Sequence, residues 1–244
     1  MAMASARGNV RIGTATRVGT TTPSGDAVAV HVQEDGTTAA AVVDGIGHTR
    51  RVASVAQLLA TVIARVGARR GSLAGLLTGT DVVADPGSGD EPEPDAVAVI
   101  ATARAETDQI RIAWVGDCRA YALQGGRLRP LTADHNLAEQ LAMCGYTGET
   151  PRPAARWVRT TVRSAVVATV SEAWTEAPLV VLTSDGVHDQ VPHGAMEALA
   201  LRYEDEPQAL SDALVAAAET GAGGVRDDAT AIVITRTTAR SSRP

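Results

Sequence analysis

The sequence predicts an α+β fold built on antiparallel sheets, and three observations point there. Strand signals come in adjacent groups, with helical segments inserted between groups and not after every strand. No GxGxxG follows a strand and neither GxxxxGKS nor GxxxxGKT occurs, so nucleotide-binding parallel sheets receive no support. The chain has 244 residues, 45% hydrophobic and 20% charged, which suits one large domain or two small ones with a substantial core.

Residues 1–8 are small and polar and read as loose, and one domain is expected over 9–235. Short β-branched or alternating runs signal strands at Val28–Val32, Ala39–Val43, Ala96–Ala101, Ile110–Val115, Val180–Thr183 and Thr230–Thr235. After Arg51, the residues Val52, Val55, Ala56, Leu59, Val62, Ile63 and Val66 keep helical spacing on one face. Gly71 breaks this helix, and Ser72–Leu77 continues as a second. Further helices are expected at Leu137–Cys144, Ala195–Tyr203 and Gln208–Thr220, the last with Pro207 near its first turn and Gly221 at its end. Asp81–Asp95 carries acids without one base, together with Pro and Gly, and reads as a solvated surface loop within the domain. The tail 236–244 has no apolar period and reads as flexible.

Composition removes several function classes. The formal net charge is −6, aromatics make up 2%, and phenylalanine is absent. Such a chain lacks both the positive field and the stacking surfaces of a nucleic-acid binder. No uninterrupted apolar run approaches the roughly 18 residues that signal a membrane span. Met1–Val10 has no apolar signal core, so a cytoplasmic protein without membrane attachment is expected. Cys118 and Cys144 are too few for a disulfide framework or a structural zinc site.

The informative feature is where certain aspartates fall. The strand AAAVV runs into Asp44-Gly45, and VVLTS runs into Asp185-Gly186. IAWVG ends in Asp117, Asp227-Asp228 precedes the last strand, and Asp26 precedes the strand at Val28. Any one Asp-Gly is explained by turn chemistry alone. Jointly they are not, because strand ends converge on a packed sheet and gathered carboxylates repel one another. Such a cluster calls for a cation, and hard oxygen ligands select Mg²⁺ or Mn²⁺.

The ordered set VVDGIG, WVGDCRAY, LTADHN, VLTSDGVHD and RDDAT resembles the metal-dependent protein phosphatases of type 2C, the PPM family, in its bacterial single-domain form. The likeness runs from about Thr14 to Thr235. It implies a β-sandwich of two antiparallel sheets flanked by helices, with a two-metal cleft at one end. By matching positions, Asp44 would bridge two Mn²⁺ or Mg²⁺ ions and Gly45 would offer its carbonyl. Asp185 and Asp227 would complete the first ion, and Asp26 would hold waters on the cations. Asp189 matches an acid used for a third, weaker ion, with Asp90 near the place of that ion's other acid. Asp117 is expected to shape a turn beside the cleft.

Two cations sharing a water make a nucleophile near neutrality and neutralise the phosphoryl oxygens, so no protein nucleophile is needed. The implied activity is hydrolysis of phosphoserine and phosphothreonine in proteins, with a cognate Ser/Thr kinase as the natural partner. Departures from the family pattern leave a second reading open, a phosphoprotein-binding or sensory module with little turnover. Gly25 stands where the family has Glu, and Thr21 stands where it has a phosphate-gripping Arg. Arg17 is the substitute clamp that the sequence offers. His48 is a general-acid candidate, as well as a plausible surface or capping residue, whereas His188 reads as packing beside the cleft. Residues 134–163 resemble the family's flap, and Arg152, Arg156, Arg159 and Arg163 there read equally as a phosphoprotein attractor or a solvated basic face.

Overall fold

The computed structural model describes residues 10–85, 87–88, 91–148, 154, 157–219 and 224–236. Twelve strands are present among them: β1 (Val10–Arg17), β2 (Asp26–Val32), β3 (Thr38–Gly45), β4 (Gly87–Ser88), β5 (Glu91–Pro92), β6 (Ala96–Ala103), β7 (Ile110–Val115), β8 (Arg119–Gln124), β9 (Arg127–Pro130), β10 (Ser171–Thr175), β11 (Leu179–Thr183) and β12 (Ala229–Arg236). The helices are α1 (Arg50–Arg70), α2 (Ser72–Val82), α3 (Leu137–Met143), α4 (Asp185–His188), α5 (His193–Arg202) and α6 (Pro207–Ala217).

Two five-stranded sheets, ordered β1-β12-β11-β8-β9 and β10-β7-β6-β3-β2, are antiparallel at every pairing. The alternation of strand side chains explains the layering. In β3, Ala40 and Val42 face the other sheet, where they join Val99, Ile112, Trp114, Leu182 and Ile232 in the sandwich core. Ala39, Ala41 and Val43 face outward and meet Leu59 and Ile63 of α1 and Leu76 of α2. The opposite sheet turns Val181 and Val233 outward onto Met196 of α5 and Leu210 and Leu214 of α6. Strands buried on both faces therefore read as continuous apolar runs, as β3 does.

Small side chains let these layers approach closely. A Cβ on Gly67 of α1 would stand 2.3 Å from Ile100 Cδ1, so the helix lies almost on β6. This packing settles the character of α1, whose 21 residues are long and apolar enough to cross a membrane. That corrects the expectation that no such segment exists, but α1 buries Val52, Leu59, Ile63 and four alanines against the fold and is a core helix.

The sequence missed β1, β8, β9 and β10. The β8–β9 turn is Gly125-Gly126, both at positive φ (60° and 74°), the backbone that a two-residue hairpin requires. The acidic segment 81–95 is only partly a loop. Asp81 and Val82 end α2, β4 pairs with β5, and Asp95 accepts the Thr161 hydroxyl at 2.7 Å.

Candidate metal centre

Four of the predicted acids gather because their elements end at one rim of the sandwich. Asp26 opens β2 and Asp44 lies next to the end of β3, directly opposite it in the antiparallel register. Residues so paired send their side chains to the same face of a sheet. Asp185 begins α4 just after β11, and Asp227 stands just before β12. Asp44 feels the charges of Asp26, Asp185, Asp117 and Asp227 together, so it lies at the centre of the group.

The electrostatics follow from that gathering. Asp44 is pushed well above the usual carboxylate range, first by burial and then by Asp26, Asp185, Asp117 and Asp227. Asp26 is raised to about 8, chiefly by burial, although the Ser184 and Thr230 hydroxyls oppose the shift. Asp185 is raised to about 7 by burial, then by Asp227, Asp117 and Asp189, and a hydrogen bond with Asp44 opposes this. Asp117 reaches about 6 through burial and the nearby Asp134. Asp26, Asp44 and Asp185 keep some solvent access, which an entering ion requires, yet desolvation dominates each of them. No basic side chain figures among the main influences on these three.

Neighbouring groups fix the acids in place. The Ser184 hydroxyl donates to Asp26 Oδ2 at 2.6 Å and accepts the Thr230 amide at 3.0 Å. Asp227 Oδ1 accepts the Asp228 amide at 2.9 Å, and the Gly45 amide donates to Gly25 O at 3.0 Å. The last contact explains the glycine at position 25. A Cβ there would stand 2.9 Å from Gly45 O, so the chain has no room for the Glu that the family pattern expects.

The other predicted residues fall as follows. Asp189 is exposed at the end of α4, four residues after Asp185. His48 is exposed just before α1, and the helix is capped by Thr49, whose hydroxyl accepts the Val52 amide at 3.2 Å. His188 shares a 3.0 Å hydrogen bond with Thr183 Oγ1. Burial and Arg119 hold its imidazole well below its usual pKa, so it is neutral at pH 7. It lines a recess of about 300 Å³ with Arg119, Tyr121, Asp134 and His193. Asp90, Arg152 and Arg156 lie outside the described residues.

Arg17 corrects the sequence reading. Its guanidinium donates to Ala218 O at 2.9 Å and Ala216 O at 3.1 Å, closing the C-terminal end of α6. The last carbonyls of a helix lack partners and carry partial negative charge, which a cation satisfies. Arg163, read as part of a basic flap face, is likewise committed, donating its backbone amide to Asp95 Oδ1 at 3.1 Å and its guanidinium to Glu93 O.

The sequence reading missed Asp228, Ser184 and the Arg119–Asp134 pair. Arg119 grips both Asp134 oxygens, at 2.8 and 2.6 Å, beside the turn that carries Asp117. The motifs GDCR and LTADHN contained that signal.

The acids suit a hard divalent cation. Their donors are all oxygen, they repel one another, and a cation would relieve the cost. Among the described residues no three acidic, histidine or cysteine side chains form a ready-made cage. Asp44 and Asp185 act on each other's ionisation, as close carboxylates do, and a cation between such groups would relieve their repulsion.

The sequence profile of Stage II sporulation protein E (SpoIIE) matches residues 34–237. The chain belongs to the SpoIIE family. That assignment agrees with the type 2C motifs, and the sandwich is the fold they imply. The S. agalactiae serine/threonine phosphatase is similar in structure, with a TM-score of 0.80 at 18% identity over 93% of this chain and 99% of that one. PppA, described as a key regulatory component of T6SS in Pseudomonas aeruginosa, has a TM-score of 0.73 at 22% identity, over 95% and 99% of the two chains. The catalytic domain of the phosphatase PstP, solved in complex with two manganese ions, has a TM-score of 0.66 at 18% identity over 94% and 99%. No curated protein matches the sequence significantly.

Proposed function

We propose that this SpoIIE-family chain is a protein-serine/threonine phosphatase that depends on two Mn²⁺ or Mg²⁺ ions. The observation that carries the reading is the gathering of Asp26, Asp44, Asp185 and Asp227 at one sheet rim, with burial and mutual repulsion holding Asp26, Asp44 and Asp185 out of their ordinary titration range. PstP, a fold neighbour, binds two manganese ions, which supports the choice of ion.

Divalent cations bound there would supply Lewis-acid activation of water and neutralise charge on a phosphoryl group. Asp44, Asp185 and Asp227 would hold the ions through their carboxylates, and Gly45 would add its carbonyl. Asp26, held by Ser184, would orient the surrounding water. Asp189 is assigned to a third, weaker ion. His48, exposed on the segment after Gly45, is the candidate to protonate a leaving alkoxide. Phosphorylated proteins are the proposed substrates, with a Ser/Thr kinase as the opposing enzyme and the cytoplasm as the setting.

Commitment of Arg17 to α6 removes the substitute phosphate clamp that the sequence offered, and this favours the second reading, a binding module that turns over poorly. Phosphate release from a phosphothreonine peptide, measured with and without Mn²⁺, separates the two. The phosphatase reading expects Mn²⁺-dependent release that falls by at least ~100-fold in Asp44→Ala and Asp185→Ala. Tight Mn²⁺ binding without release on several peptides supports the module, and an unchanged rate in both variants contradicts the mechanism.

A further inference from the structure

We propose that Asp228 is a positioning residue of the metal centre, whose carboxylate and backbone hold three of the acid-bearing segments together and so set cation affinity without touching a cation. The inference rests on the metal-dependent reading above. Asp228 is 4% exposed. Its two oxygens accept different amides of one loop, Gly19 N–H on Oδ1 at 2.6 Å and Gly25 N–H on Oδ2 at 2.7 Å. Gly25 immediately precedes Asp26, so the second bond fixes the entry to β2.

The backbone of Asp228 reaches two other ligand segments. Its amide donates to Asp227 Oδ1 at 2.9 Å, which orients that carboxylate. Its carbonyl lies against the turn after Asp185, so closely that a Cβ on Gly186 would stand 2.0 Å from it. Through Gly25 the brace extends to the fourth segment, because the Gly45 amide donates to Gly25 O at 3.0 Å. Gly19 is equally confined, since a Cβ there would stand 2.5 Å from Arg226 O.

The chemistry explains why an acid occupies this position. A buried carboxylate beside Asp26 adds repulsion, a cost that is unfavourable unless the group satisfies donors nothing else can reach. A carboxylate offers two oxygens to two amide donors. An asparagine has one carbonyl oxygen and turns an N–H toward the other amide.

The test titrates the full chain with MnCl₂ by calorimetry, in the wild type, Asp228→Asn and Asp228→Ala, with circular dichroism to verify folding. Amide exchange at Gly19 and Gly25 reports on the brace directly. Asp228→Ala is expected to weaken Mn²⁺ binding by about 10–100-fold, as outer partners of metal ligands do, with Asp228→Asn in between and faster exchange at both glycines. Folded variants that bind Mn²⁺ within about twofold of the wild type overturn the proposal, and if the alanine variant does not fold the asparagine variant decides by the same criterion. Absence of Mn²⁺ binding by the wild type overturns the metal-dependent reading itself, a result distinct from variants that match the wild type.

Discussion

Asp26 and Asp44 are register partners across the β2–β3 pair, two carboxylates placed opposite each other at the mouth of a sheet. Antiparallel strands normally avoid like charges in that position. Here the pairing is compounded by Asp185, which acts on both. The arrangement costs stability until protons or a cation neutralise it, and that cost has measurable consequences.

The first concerns pH. Asp26 titrates at about 8 in the folded protein against an ordinary value of 3.8. Between these values the folded state binds more protons than the unfolded one, so stability falls as pH rises. The stabilising contribution of protonated Asp26 is complete below pH ~4 and lost through pH ~8. The melting temperature of metal-free protein is therefore expected to drop across pH 5–8, with Asp26→Asn flattening the drop. Added Mn²⁺ is expected to stabilise more at pH 8 than at pH 5, as scanning calorimetry can check.

Arg17 provides a test of position. Arg17→Ala removes a cation from the end of α6 and is expected to cost about 1 kcal/mol in chemical denaturation. Its kcat/KM on a phosphopeptide is expected to equal that of the wild type. A large rise in KM would return Arg17 to the substrate.

The Arg119–Asp134 pair links stability to the turn beside the cleft. Asp134→Asn breaks a two-pronged, part-buried ion pair and is expected to destabilise by about 1.5–3 kcal/mol. It also removes the charge that, after burial, does most to raise Asp117. Titration of Asp117 by carboxyl NMR is expected to shift downward from about 6.

Gly25→Ala addresses the departure from the family pattern. Its Cβ would press on Gly45 O, separating the two loops that carry Asp26 and Asp44. Weaker Mn²⁺ binding is expected, by about tenfold or more, with the thermal midpoint also lowered.

Much of this site was legible because aspartates at the ends of apolar runs mark strand-to-loop junctions, and strand ends of one sheet gather. Five of the six strands read from the sequence, β3, β6, β7, β11 and β12, are largely buried apolar runs, and the sixth, β2, is an edge strand legible from its alternating valines. β1 carries Gly13 and four polar residues, and β10 is a short edge strand with exposed Glu172 and Trp174, so neither has the apolar signal of a core strand. Arg17 misled because nearness to Asp26 in sequence says nothing of direction. Its strand pairs Arg17 with Ala229, and the side chain reaches α6. The doublet Asp227-Asp228 likewise could not reveal which acid is exposed and which is buried, since that depends on how the loop 18–25 folds over it.

The most direct measurement is anomalous diffraction at the manganese edge from crystals soaked in MnCl₂. Two peaks flanking Asp44, one also within reach of Asp185 and Asp227, are the expected result. Peaks only elsewhere on the molecule, or none at saturating Mn²⁺, would contradict the assignment of these acids to a two-ion centre.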